Sequence, residues 1–336
     1  MKFALVIPLL AIAVAVQAQE PKPLRVGIIG LDTSHVVAFV ETLNQSPKNP
    51  EDKAKVAGVK VVAAYPQGSK DIESSTKRVP EYTAKVKTMG VEIVDSIEEL
   101  LKQVDVVFLE SNDGRVHWEQ LQPVLVARKP VFIDKPIAGN LADTVRILEA
   151  AKKANVPLFC ASSLRFGKTT QAVRNGAIGQ VKRAETFSPA ELEPHHVDLY
   201  WYGVHGCESL FTVMGAGCKS VKRGTTADGK IEVMGTWEGG LTGIFREAND
   251  TDRKGYGGKA MGEKGESAVG SYDGYDPLLF AVIQMFRDGV VPVSADETLE
   301  LYAFMAAADE SKRRGGAEVT LKEVLDQARA EVAAKP

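Results

Sequence analysis

Cysteine is scarce. Cys160, Cys207 and Cys218 are the only three in 336 residues. They are too few and too scattered for a disulfide scaffold, and no C-x-x-C pair is available for a metal site. An excess of either charge is also missing. Lysine and arginine number 41 against 44 aspartates and glutamates, for a formal net charge of −3. That balance excludes the basic footprint of a nucleic-acid-binding protein. Long hydrophobic runs are absent as well: the apolar stretch at residues 4–16 falls short of the roughly 20 residues that span a bilayer. What remains is ordinary globular composition, with 44% hydrophobic and 25% charged residues. Collagen-like, disordered and multi-span membrane chains are thereby excluded. A chain of this length suits two domains of roughly 100–200 residues each.

The N-terminus carries an address. Lys2 precedes the apolar run, which ends in the small-residue pattern Val16-Gln17-Ala18. Residues 1–18 read as a secretory signal peptide cut after Ala18, leaving no integral span. No Arg-Arg pair precedes the run, so export of a folded, cofactor-loaded protein is not indicated. The expected location is periplasmic or extracellular.

From residue 24 onward, short apolar runs alternate with helical patterns. Strands are expected at 24–30, 59–65, 91–94, 104–109, 130–133 and 156–160. Helices are expected at 34–43, 80–88, 96–103, 117–127 and 141–154. Continuous apolar strands separated by helices predict a parallel sheet covered on both faces. The fold class is therefore α/β, with a Rossmann-like doubly wound parallel sheet over residues 24–161. Beyond Ser162 the pattern changes to neighbouring strands at 182–188, 219–225, 230–237 and 241–246, with hairpin dipeptides Asp228-Gly229 and Gly239-Gly240. Residues 162–336 thus read as an α+β domain with a mainly antiparallel sheet and C-terminal helices at 276–287, 295–313 and 321–334. The glycine- and lysine-rich stretch 254–265 reads as a mobile loop.

The first strand-to-helix turn is Gly30-Leu31-Asp32-Thr33-Ser34-His35. A dinucleotide fingerprint G-x-G-x-x-G starting at Gly30 would need glycines where Asp32 and His35 stand. Electrostatics sharpens the departure. A helix N-terminus attracts anions, but a carboxylate about 4 Å from a phosphate repels it by roughly 4 kcal/mol at an effective dielectric of 20. Asp32 or Thr33 serves as an N-cap, or Asp32 occupies the anion site itself with Ser34 and His35 displayed beside it. A shifted dinucleotide is the third reading, since this sheet edge is where ligands bind. The second strand ends at Tyr65, without the acid that holds a ribose hydroxyl. Ser69 and Lys70 either grip a 2′-phosphate, favouring NADP, or form a polar loop.

The fourth strand ends in Glu110-Ser111-Asn112-Asp113-Gly114-Arg115-Val116-His117 and the fifth in Asp134-Lys135-Pro136. Such strand-end loops converge on the ligand crevice. Lys135 can hold a substrate hydroxyl and stabilise alkoxide charge, and Asp134 can orient it. The alternative for this tripeptide is a surface turn.

The order of these features resembles the glucose–fructose oxidoreductase and inositol dehydrogenase (Gfo/Idh/MocA) family, over nearly all of the chain after residue 18. The family's strand-five Glu-Lys-Pro is similar to Asp134-Lys135-Pro136, and its strand-four Asn and following His resemble Asn112 and His117. Its Asp-x-Gly-x-His element resembles Trp201-Tyr202-Gly203-Val204-His205, with Trp201 in place of the acid. The resemblance implies a hydride moved between a sugar or polyol CH–OH and a nicotinamide ring. His205 would handle the hydroxyl proton and Lys135 would assist. It further implies NAD or NADP, with Asn112, His117 and Asp134 beside it; Gly30, Asp32, Thr33, Ser34, His35, Ser69 and Ser111 are the other candidate cofactor contacts, and tight binding is expected because free nucleotide is scarce outside the cytoplasm. A homo-oligomer is implied too.

Read directly, Trp201, His205, Glu208 and Thr212 share a helical face. Trp201 suits stacking on a sugar ring. His195, His196, Asp198, His205 and Glu208 form the densest set of metal-type ligands, but their spacing matches no standard zinc motif. No metal is expected, and sugar-hydroxyl recognition by His195, His196, Trp201, Glu208 and Arg165 is expected instead. Arg165, just after strand six, could equally be a structural ion pair. The expected function is an exported NAD(P)-dependent oxidoreductase acting on a sugar, polyol or glycoside. The alternatives are a glycoside hydrolase or lyase with a transient or lost redox cofactor, and a non-catalytic carbohydrate-binding protein on a dehydrogenase scaffold.

Overall fold

A computed structural model describes residues 23–270 and 272–334. The signal-peptide expectation for residues 1–18 lies outside them.

The first domain alternates strands and helices: β1 (Leu24–Ile29), α1 (Ser34–Val40), α2 (Lys53–Val56), β2 (Val59–Tyr65), α3 (Glu73–Thr88), β3 (Glu92–Ile93), α4 (Ile97–Gln103), β4 (Val106–Leu109), α5 (His117–Val126), β5 (Val131–Ile133), α6 (Leu141–Ala154) and β6 (Leu158–Cys160). The sheet order is β3-β2-β1-β4-β5-β6, and every pairing is parallel. This is the doubly wound topology with its switch point between β1 and β4. Both faces are dry. Val26, Ile28, Phe108, Phe132 and Phe159 pack towards α1 on one face, and Ile29, Leu109 and Ile133 fill the other. Side chains on opposite faces alternate along each strand, which is why the sequence shows continuous apolar runs. Helix α3 begins at Glu73 and runs through Pro80. The sequence pattern had placed the start at Pro80, because proline is favoured in a first helical turn.

The second domain continues with α7 (Lys168–Arg174), β7 (Val181–Ser188), α8 (Val204–Met214), β8 (Cys218–Thr225), β9 (Ile231–Trp237), β10 (Thr242–Glu247), β11 (Gly257–Gly262), β12 (Gly265–Ala268), α9 (Asp276–Asp288), α10 (Ala295–Arg313), β13 (Val319–Thr320) and α11 (Leu321–Ala334). Its sheet order is β12-β11-β7-β10-β9-β8-β13. β7 and β10 are parallel and the remaining pairs antiparallel. Helix α8 is buried between this sheet and the first domain, and α9 returns to cover the α1 face.

Within the expected mobile loop at 254–265, residues Gly257–Gly262 form a strand. β11 pairs with β7, and its glycines have a packing reason. A Cβ on Gly258 would lie 2.3 Å from Glu185 O, and one on Gly262 2.3 Å from Ile178 O. Glycine there admits close backbone approach, not a flexible linker. All three cysteines are buried and free. Among the described residues, no helix is long and apolar enough to cross a membrane.

Candidate active site

Three strand-end loops and one helix converge above the carboxyl edge of the first sheet. The turn after β1 contributes Thr33, Ser34 and His35, β5 runs into Lys135, and β6 into Ser163 and Leu164. α8 contributes His205. Together they enclose a pocket of about 170 Å³, closed by Tyr202, Tyr256, Tyr272 and Tyr275. Lys135 is 8% exposed and His205 7%. The sequence had separated them by 70 residues; the domain interface brings them to one cavity.

Burial shapes both groups. It pushes the His205 imidazole well below its ordinary range, helped by the nearby Lys135 charge. His205 is thus a neutral ring at neutral pH, with one lone pair and one N–H. Its Nδ1 lies 2.7 Å from Ser162 Oγ, and Tyr202 and Tyr256 stand edge-on at ring distances of 5.3 and 5.7 Å. Burial also lowers the Lys135 pKa, with Asp134 opposing. The Lys135 ammonium lies 5.8 Å over the Tyr202 ring. Burial works against the Asp134 carboxylate too, but His35 and Lys135 outweigh it and hold its pKa down to about 2. His35 Nδ1 lies 3.0 Å from Asp134 Oδ1. Ser34 Oγ and Tyr275 Oη are 2.9 Å apart.

The remaining sequence-predicted residues fall into three groups. Asp32 bridges the loops around the turn. Its carboxylate is fully buried, accepting from Asn112 N at 2.8 Å and from Ser75 Oγ at 2.5 Å. Burial raises its pKa, and the Ser75 and Asn112 hydrogen bonds oppose this. Ser111 exchanges hydrogen bonds with Gln120. His117, fully buried, sets its two ring nitrogens 2.7 Å from Ser111 O and 3.1 Å from Ile137 O, one of which its single N–H bonds. Both stabilise the strand-end loops from behind.

A second group forms a strap between the domains. Ser69 donates to Asp113, and Arg115 clamps Asp71 and Asp113 at 2.7 Å each. His196 Nε2 accepts from Gly114 N at 3.1 Å, while its Nδ1 faces Glu193. His195 pairs with Glu193 at 2.6 Å. The side chains of His195 and His196, expected as substrate contacts, do not line the pocket. Trp201 does not line it either. It sits in the turn before α8 and packs on His196 with ring centroids 5.1 Å apart, so it is not on one helical face with His205.

The third group is a buried ion network. Arg165 donates to Glu208 and, at 2.6 Å, to Glu297, which Arg174 also holds at 2.7 Å. Arg165 and Glu208 fasten α8 to α10, the structural ion-pair reading of Arg165. Among the described residues, no group of histidine, cysteine and acidic side chains is arranged to hold a metal ion.

The tyrosine wall went unread in the sequence. Tyr256, Tyr272 and Tyr275 flank a glycine-rich segment whose composition resembles a loop. The one available signal was the crowding of three tyrosines within twenty residues.

Comparison with known proteins agrees with this geometry. Residues 24–162 match the oxidoreductase family Gfo/Idh/MocA, NAD-binding Rossmann fold. A stretch of 93 residues is 40% identical to myo-inositol 2-dehydrogenase of Thermotoga maritima, covering 26% of this chain and 28% of that protein. Another of 108 residues is 34% identical to 1,5-anhydro-D-fructose reductase of Ensifer adhaerens, covering 30% and 32%. The matches thus span less than a third of those relatives' length. The whole fold superposes on myo-inositol dehydrogenase of Lactobacillus casei, a structure in complex with NAD(H) and myo-inositol. The TM-score is 0.67 at 17% identity, over 89% of this chain and 96% of that one. The Rossmann domain, residues 24–162, is thus similar to the Gfo/Idh/MocA family of oxidoreductases.

Proposed function

We propose that the protein is an NAD(P)-dependent oxidoreductase acting on a CH–OH group of a sugar or polyol. The observation that carries this reading is the meeting of Lys135 and a neutral, buried His205 in one closed pocket at the switch point of the sheet.

The first turn is where the pyrophosphate of a dinucleotide would lie. Gly30 has φ +88°, and a Cβ there would lie 2.3 Å from Ser111 N. The fingerprint's first glycine is therefore still required for the turn. Thr33, Ser34 and His35 would hold the nicotinamide end, beside Lys135. When bound, NAD(P) supplies the two-electron acceptor or donor. The protein's part is proton and charge management. The Lys135 ammonium holds the reacting hydroxyl and stabilises alkoxide character. The lone pair of neutral His205 takes the hydroxyl proton during oxidation and returns it during reduction. The tyrosine wall excludes water and offers ring faces to a sugar.

Asp32 works against this fit, because its carboxylate crosses the turn where pyrophosphate passes. It must swing away for the phosphates to seat. Asp32→Gly should therefore bind NAD(P) at least tenfold tighter, about 1.4 kcal/mol, in titration calorimetry. Unchanged affinity would refute the repulsion argument. The same bridge favours a second reading, a carbohydrate-binding protein on a dehydrogenase scaffold. A panel of inositols, hexoses and sugar acids, assayed with NAD⁺ and NADP⁺ by nicotinamide absorbance, separates the two. Turnover of any supports the enzyme, whereas saturable binding without turnover supports the binding protein.

We further propose export and self-association. The Lys2-to-Ala18 pattern supports secretion, tested by N-terminal sequencing of protein from the periplasm or medium. The outer face of the second sheet supports a homo-oligomer. It carries an Arg183–Glu185–Arg246–Glu232 ion ladder beside half-exposed Met234. Light scattering after gel filtration tests it.

A further inference from the structure

Three buried oxygens behind the pocket have no hydrogen-bond partner: both carboxyl oxygens of Glu110 and Oδ2 of Asp134. Glu110 and Asp134 are fully buried, and such groups are ordinarily satisfied.

The sheet ladder puts the two residues level on neighbouring strands. Leu109 pairs in register with Ile133, and Glu110 and Asp134 are the next residues. The ladder persists there, since Asp134 N donates to Leu109 O at 2.8 Å. Residues level on adjacent parallel strands project from the same face, with strands about 4.8 Å apart. On the other side of β4 the level position is Gly30, because Ile29 pairs with Leu109; it has no side chain to bond. Below lie Phe108 and Phe132 on the same face. Two ionised carboxylates so placed repel each other, and a single proton removes the conflict.

We propose that Glu110 and Asp134 form a carboxyl–carboxylate pair holding one proton, with the Glu110 O–H donating to Asp134 Oδ2, and that His35 joins this pair to the pocket. One proton then satisfies orphaned atoms on both side chains. Asp134 remains the anion, its Oδ1 accepting from Lys135 N at 2.8 Å and facing His35 Nδ1 at 3.0 Å. His35 itself lines the pocket. The charge behind Lys135 is thereby one negative unit, not two. The other groups facing the pair agree with this. Asp32 on the first turn and Asp134 both disfavour a charge on Glu110, after burial itself. His35 on α1 and Lys135 favour the charge on Asp134. Arg78 on α3 acts on Asp32 and Lys135, and Tyr275 before α9 packs edge-on to His35 at 4.3 Å. Glu110 is a positioning residue. Its link to turnover rests on the oxidoreductase reading, but the pair itself does not.

Infrared difference spectra of the wild type against Glu110→Gln, recorded in D₂O at neutral pH, test it. The expected result is a protonated-carboxyl carbonyl band in the wild type that the variant lacks. Stability gives a second readout. A group whose pKa is raised on folding contributes fully at low pH and loses that contribution as pH rises through its folded value. Glutamine keeps a donor for Asp134 and cannot ionise. Glu110→Gln should therefore gain melting temperature over the wild type increasingly from acidic to alkaline buffer. Glu110→Leu, which offers no donor, should melt lower throughout. Absence of the band, or a glutamine offset that is flat with pH, overturns the proposal. Neither readout uses nucleotide or turnover, so this failure is distinct from failure of the enzyme reading.

Discussion

His205→Asn should lower kcat by about two to four orders of magnitude, the usual contribution of a positioned acid/base, while circular dichroism and melting temperature stay close to wild type. Asparagine can keep a hydrogen bond to Ser162 Oγ, which lies 2.7 Å from His205 Nδ1, but it has no basic lone pair. The expected loss is in kcat more than in KM, because the proton moves only in the reacting state. The pH profile makes the argument sharper. Burial pushes the His205 pKa well below its ordinary value of 6.5, and oxidation needs the neutral ring. The acid limb of turnover should therefore fall below pH 6.5 and disappear in His205→Asn. An acid limb at or above 6.5, or an unchanged kcat, removes His205 from the chemistry.

Lys135→Met should lower kcat by about two to three orders of magnitude, as loss of a donor to developing oxyanion charge typically does. Methionine keeps the length and apolar stem but not the charge. Lys135 is 8% exposed and sits between the Asp134 backbone and the Tyr202 ring, so its ammonium is directed by packing. Burial depresses its pKa below the ordinary 10.5. An alkaline limb below that value is therefore expected in the wild type and absent in the variant. Lys135→Arg should not rescue, because the planar guanidinium is larger and distributes its charge differently. Activity within tenfold of wild type in Lys135→Met would exclude the lysine from stabilising the reacting oxygen.

Much of the fold was legible because its physics is local. Six apolar strands buried on both faces read as continuous runs, and the order of strand, turn and helix fixed the doubly wound sheet. Lys135 and His205 stood out in the sequence through the resemblance carried by Asp134-Lys135-Pro136 and Gly203-Val204-His205, and the structure brings them to one pocket. Residues whose roles come from long-range partners were not. His195 and His196 look like sugar ligands in sequence, but Glu193 and the Gly114 amide claim them. Arg165 and Glu208 look like crevice polar groups until Glu297 completes their network. Trp201 fits a helical face, but the helix starts at Val204. Gly257–Gly262 looks flexible because composition cannot show that a neighbouring carbonyl leaves no room for a Cβ. Glu110 reads as a strand-end carboxylate, and its isolation is visible only once Asp134 stands beside it.

The account turns on whether the altered first turn still holds a dinucleotide. The most direct measurement is to purify the protein, denature it and analyse the released small molecules by mass spectrometry, followed by NAD(P) calorimetry on the native protein. The account predicts NAD or NADP, either released with the chain or bound saturably on addition, and bound more tightly by Asp32→Gly. No nucleotide released and no binding by wild type or variant would contradict it, and would leave Lys135 and His205 as parts of a sugar-binding pocket.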